Sequence, residues 1–136
     1  MLDDAYQRKA WHGPNLRGSL RGVTADQALW RPAKGRHSIW ELAVHCAYWK
    51  YAVRRRLTGL KRGTFPRKGS NWLPAAGDWN DDLRLLADEH RELLGAIRRA
   101  GSQKLRARER LIYGVAAHDV YHTGQIQLIK RLGGFF

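Results

Sequence analysis

The chain has 136 residues, 43% of them hydrophobic and 27% charged, with a mean hydropathy of −0.57. This balance predicts a single soluble, globular domain over residues 1–136 and excludes collagen-like and low-complexity classes; Cys46, the lone cysteine, excludes a disulfide scaffold and points to a reducing, cytoplasmic setting. Twenty-five Lys and Arg against 12 Asp and Glu give a formal charge of +13, which favours nucleic acid, anionic lipid or acidic ligands as partners. No apolar run approaches the roughly 20 residues that cross a bilayer. Met1-Leu2-Asp3-Asp4 has neither the basic nor the apolar region of a secretory leader.

Four segments carry helical patterning. The first lies within Leu2 to Arg21, and Gly13-Pro14 requires it to kink or to start late. Thr24 to Trp30 predicts a short extra helix, capped by Thr24 with Gln27 at its third position. The second main helix opens on Ser38-Ile39-Trp40-Glu41, another capping box, and runs through His45, Trp49 and Val53 to Leu57 before Thr58-Gly59. The third begins near Trp79, with Asp78 or Asn80 as cap and a seam of Trp79, Leu83, Leu86, His90, Leu93 and Ile97, and ends at Gly101. The fourth runs from about Leu105 to Leu132 on a seam of Leu111, Val115, His118, His122, Gln125, Ile129 and Leu132, and stops at Gly133-Gly134. With strand signals poor throughout, the fold class is all-α and a four-helix bundle is the default packing. The short link at Gly101–Lys104 predicts antiparallel third and fourth helices. The long link from Thr58 to Asp78 can cross the length of the bundle and leave the second and third parallel.

The histidines are the informative residues. His118 and His122 stand one turn apart on one helix face, at seam positions where a bundle expects Leu or Ile. Two buried imidazoles need partners, and a shared divalent cation supplies them. A third ligand from another helix would complete the set, and the second helix offers His45 on its inward side. Against this stands the plainer reading of an i,i+4 histidine pair as structural or surface-exposed.

His118-Asp119-Val120-Tyr121-His122-Thr123-Gly124-Gln125-Ile126 resembles the C-terminal signature of the DinB/YfiT-like superfamily. Trp30-Arg31-Pro32 with His37-Ser38-Ile39-Trp40-Glu41-Leu42-Ala43-Val44-His45, and Trp11-His12-Gly13-Pro14-Asn15-Leu16, are similar to its other signatures, so the resemblance covers nearly the whole chain. It implies a four-helix bundle of up-down-down-up order with a long crossover between the second and third helices. It also implies one divalent metal, nickel or zinc, on His45, His118 and His122, and the thiol-dependent transferase, isomerase or hydrolase-like activities of the family. Homodimers are common in that family, and Gly114 and Gly124 would let another backbone approach the fourth helix.

Three nitrogen ligands leave a cation with open positions, which suits either S-transfer with a low-molecular-weight thiol or hydrolysis of a small-molecule substrate. Asp119 is a candidate to orient a histidine ring, or a polar group bonded to another helix. Glu41 reaches towards the metal or serves its capping box. Gln125 is a pocket contact or an interhelical hydrogen bond. Tyr48, Trp49 and Tyr121 line the pocket or belong to the core. His90 is a pocket wall, a replacement ligand or a hydrogen-bonded core histidine; His12 sits at the bend of the first helix within reach of the metal; His37 belongs to a loop. Cys46 is rotated about 100° from His45 around the helix and reads as a small buried thiol.

Two rival readings remain. One is nucleic-acid binding through Arg54-Arg55-Arg56, Lys61-Arg62, Arg67-Lys68, Arg98-Arg99 and Arg106-Arg108-Arg110. Cations in last helical turns complement the helix dipole, but that does not explain the loop clusters, and no helix-turn-helix, zinc-finger or RNA-binding signature appears. The other is a structural or vestigial metal.

Overall fold

The computed structural model describes residues 1–136. It contains α1 (Leu2–Tyr6), α2 (Leu16–Leu20), α3 (Ala25–Leu29), α4 (Ile39–Thr58), α5 (Trp79–Arg99), α6 (Ser102–Ala107) and α7 (Glu109–Gly133), and no strand. The chain is therefore all-α.

Local chemistry sets most boundaries. Both capping boxes form, Thr24 with Gln27 on α3 and Ser38 with Glu41 on α4, each answering backbone N–H groups that a helix start leaves unpaired. On α5 the cap is Asp78 rather than Asn80, its carboxylate accepting from the Asp81 N–H at 3.1 Å. Gly59 and Gly134 end α4 and α7 in the left-handed conformation that glycine adopts most freely.

Two predicted helices are divided. The first separates into α1 and α2 around Gly13-Pro14, and α2 starts afresh because the Asn15 side chain accepts from the Gly18 N–H at 2.7 Å. The fourth is interrupted at Arg108 (φ −111°, ψ 12°), so the predicted link at Gly101–Lys104 lies partly in α6. Nothing in the sequence explains that break.

Contacts between helices fix their relative order. Trp40 Nε1 donates to Asp82 Oδ2 at 2.8 Å, and Arg54 forks onto Glu89 with Nη2 3.1 Å from Oε1. The beginnings of α4 and α5 thus lie together, with the segment 59–78 returning between them. Phe65 and Leu73 bury that segment against the core. Along α4 and α7 the order reverses: His45 meets His118, Lys50 meets Asp119, and Val53 and Leu57 share an apolar cluster with Val115 and Ala116. The third and fourth predicted helices meet through that same cluster, which Leu93 and Ala96 of α5 join. The closest backbone neighbours of α7 are α1, α2 and α4.

At the centre sits a lysine with no exposed surface. Lys50 Nζ is 2.5 Å from Asp119 Oδ2 on α7 and donates to His90 Nδ1 on α5 at 3.2 Å. His90 Nε2–H continues to Asp3 on α1 at 2.9 Å, and the Tyr6 ring stacks on His90. One polar chain thus ties four helices together. Breaking a buried pair strands a charge at a cost of about 3–5 kcal/mol, whereas replacing both partners with apolar groups is often neutral. Lys50→Ala should accordingly lower urea-denaturation stability by about 3–5 kcal/mol, and Lys50→Met with Asp119→Leu should recover most of it. A single variant as stable as the parent would show that the pair is not what holds these helices.

Candidate metal centre

His45 projects from α4, and His118 and His122 from successive turns of α7. The His118 Nε2 lies 3.0 Å from His45 Nε2 and 3.1 Å from His122 Nε2. One nitrogen from each ring falls within 4.8 Å of the other two. Nitrogens that share an ion at about 2.0–2.1 Å stand roughly 3 Å from one another, so the cluster has the dimensions of a ligand set.

Proton positions strengthen the fit. The Asn71 carbonyl oxygen, 2.9 Å from His45 Nδ1, can only accept, so Nδ1 carries the hydrogen of the neutral ring and Nε2 keeps a lone pair. Gln125 Oε1 does the same for His122 Nδ1 at 2.6 Å, with the Gln125 amide nitrogen donating to the Tyr121 hydroxyl at 3.3 Å. Two inward lone pairs therefore face His118 Nε2, whose one hydrogen, if placed there, satisfies only one of them. His118 Nδ1 and Asp119 Oδ1 are both buried without a hydrogen-bond partner. A cation among the Nε2 atoms would draw the His118 proton to Nδ1 and satisfy all three lone pairs.

The rings are also electrically ready. Burial holds His45 down at about 4 and His118 at about 3, and it lowers His122 as well, with neighbouring imidazoles adding to the effect. At neutral pH all three rings are uncharged, each with one nitrogen available to ligate.

The wall comes from residues that periodicity does not mark. Trp72 stacks on His45 with centroids 3.7 Å apart and planes 2° from parallel, and His37 stacks on Trp72 at 3.6 Å, so the indole lies between two imidazoles. His37 lies on the loop just before the Ser38 cap, as expected, and from there it enters this stack. Asn71 adopts φ 61°, a left-handed conformation that asparagine tolerates, and its side chain accepts from Trp49 Nε1 at 3.0 Å. The turn at Asn71 thus presents its carbonyl to His45 and braces Trp49.

Other candidates fall elsewhere. Glu41 is committed to Ser38 and to Arg31, 2.6 Å away, and these partners outweigh burial to hold its carboxyl below the usual range. His90 belongs to the Lys50 chain rather than to the cluster, and His12 is exposed. Asp119 is bonded to another helix through Lys50, and burial raises its pKa against the pull of that lysine. Cys46 has atoms within 4.8 Å of His118 and Asp119, but burial pushes its thiol well above the ordinary value and keeps it protonated. Tyr121 is exposed beside Gln125, and Tyr48 packs into the core.

A family model described as the DinB superfamily matches residues 10–126. No curated protein and no solved structure matches the chain.

The unfolded chain takes up protons near the ordinary histidine value of 6.5, while folded His45 and His90 resist to about 4 and His118 to about 3. Between these values the unfolded state binds more protons, so stability falls as pH falls. The metal-free protein should lose urea resistance from about pH 6.5 towards pH 4. A midpoint constant across that window would contradict the buried, neutral rings.

Proposed function

The chain belongs to the DinB superfamily, and on that premise we propose that it is a metal-dependent enzyme in which His45, His118 and His122 hold one divalent cation, nickel or zinc, through Nε2. The observation that carries this reading is the pair of hydrogen bonds that turn the lone pairs of His45 and His122 towards His118. The accompanying architecture is one domain over residues 1–136, a four-helix bundle of up-down-down-up order whose crossover is the segment between α4 and α5. The contact order along α4, α5 and α7 supports it.

Such an ion supplies a Lewis acid with open coordination positions. The chain's own residues define what surrounds it. Asn71 and Gln125 fix two ring orientations, Trp72 with His37 shields one side from water, and Asp119 supplies the free carboxylate oxygen beside His118. Tyr121 stands at the exposed edge, where its hydroxyl can meet an incoming small molecule. The reaction proposed is thiol-dependent S-transfer, with a low-molecular-weight thiol as co-substrate, or hydrolysis of a small molecule. The buried, protonated Cys46 is not a nucleophile, so a thiol reaction would use an external one.

The cytoplasm is the proposed location, because a lone free cysteine suits a reducing compartment. No helix is long and apolar enough to cross a membrane. A homodimer through α7 is also proposed: Tyr113 and Leu128 are exposed on that helix, and Gly114 and Gly124 leave open space. Sedimentation equilibrium showing only monomer at micromolar concentration would exclude it.

Nucleic-acid binding draws on the same +13 but loses several cations to internal partners: Lys50 to Asp119, Arg54 to Glu89, Arg67 to Asp82 and Lys130 to the Ser19 carbonyl. A structural or vestigial ion would stabilise the fold without supporting turnover.

Elemental analysis of purified protein should find one divalent ion per chain. His45→Ala, His118→Ala and His122→Ala should each weaken its affinity by more than the roughly 10–100-fold that changes outside the ligand set cost, while His12→Ala leaves it intact. Chelation should abolish turnover in a screen of small thiols with electrophiles, and restored metal should return it. Full occupancy in all three alanine variants would refute the assignment.

A further inference from the structure

The segment between α4 and α5 borders a half-open cleft, away from the histidines. It has a volume of about 770 Å³, within the range of small-molecule sites, and forms between the α4 face bearing Tyr48, Tyr51 and Arg55 and the turn from Arg62 to Ser70. No acidic residue lines it, whereas Arg55, Arg62, Arg67 and Lys68 do. Of these, Arg67 is committed: its Nε donates to Asp82 Oδ1 at 2.9 Å, and Asp82 is itself held by Trp40. Arg55, Arg62 and Lys68 form no ion pair. Arg55 lies in the last turn of α4, where the helix dipole favours a cation, but Arg62 and Lys68 have no such compensation.

The turn that forms one wall is anchored to α4. The Thr64 N–H donates to the Tyr51 hydroxyl at 3.2 Å, and buried Phe65 packs on Tyr51 and Tyr48 with centroids 5.2 and 5.5 Å away. Gly63 (φ 80°) and Gly69 (φ 109°) make the two bends that wrap the chain around the cavity. The anchored turn thus places three unpaired cations, half-buried Arg55 and exposed Arg62 and Lys68, around one cleft, an arrangement that favours an anion there.

We infer that this cavity binds the carboxylate or phosphate group of a small anionic molecule through Arg55, Arg62 and Lys68. Guanidinium forks match either group, and the aromatic floor of Tyr48, Tyr51 and Phe65 accommodates an apolar part of the same molecule. The site is separate from the histidine cluster and does not require an ion there. The two are one residue apart along both walls, since Ser70 precedes Asn71 and Tyr48 precedes Trp49.

The test is calorimetric titration of the full chain, at constant ionic strength set with chloride, using inorganic phosphate, succinate and a short oligothymidylate. Saturable one-to-one binding of phosphate or succinate is expected, and the better of the two identifies the group recognised. Arg62→Glu with Lys68→Glu should weaken it by at least about tenfold. Arg98→Glu with Arg99→Glu, the same change of net charge on α5, should leave it unchanged. The proposal fails if neither small anion saturates, if both double variants weaken binding equally, or if the oligothymidylate binds more tightly than either small anion. The last result would assign the cations to a polyanion surface instead.

Discussion

The contact on which the rest depends is the fully buried pair of Lys50 and Asp119. It joins α4 to α7 five residues beyond His45 and immediately beside His118. A buried ion pair tolerates little sliding, because any shift of register strands two charges in an apolar surround. That constraint sets the height at which the two helices meet, and hence the height at which His45 faces His118 and His122. His90 and Asp3 extend the same polar chain to α5 and α1, so the N-terminal segment is tied to the register that brings the rings together.

Around that register, the site is organised by carbonyl acceptors more than by charge. Asn71 and Gln125 each take the outer hydrogen of an imidazole and leave its inner nitrogen bare. Burial then keeps the rings neutral, and it depresses His118, which faces both of the others, further than His45. The two effects act in the same direction. One chooses which nitrogen is free and the other ensures that it stays unprotonated, and both raise the readiness of the cluster for a cation.

Much of this was legible in the chain. Ser38 with Glu41 and Thr24 with Gln27 mark helix starts by local chemistry, and both boxes form. The one-turn spacing of His118 and His122, set against His45 on the inward face of another helix, identifies the cluster. What the sequence leaves obscure depends on long-range geometry. Trp72 and Asn71 lie in a segment without periodicity, and only the folded return of that segment brings them to His45. Lys50 gives a faint signal, a single cation among the buried positions from Ile39 to Val53, but its partner is 69 residues away. The division between α6 and α7 has no marker, since arginine at 108 is a good helix former. Arg54, Arg67 and Lys130 look like surface charge in the sequence and prove to be internal ties, because their acceptors come from other elements.

The central claim is that two imidazoles are locked with bare Nε2 atoms facing a third. Long-range ¹⁵N–¹H correlation NMR of the metal-free protein at neutral pH reads the tautomers directly. The account predicts His45 and His122 as Nδ1–H tautomers, with the ¹⁵N resonances of all three Nε2 atoms shifting together when zinc is added. Nε2–H tautomers at His45 and His122, with no zinc-dependent shift at any of the three, would contradict it.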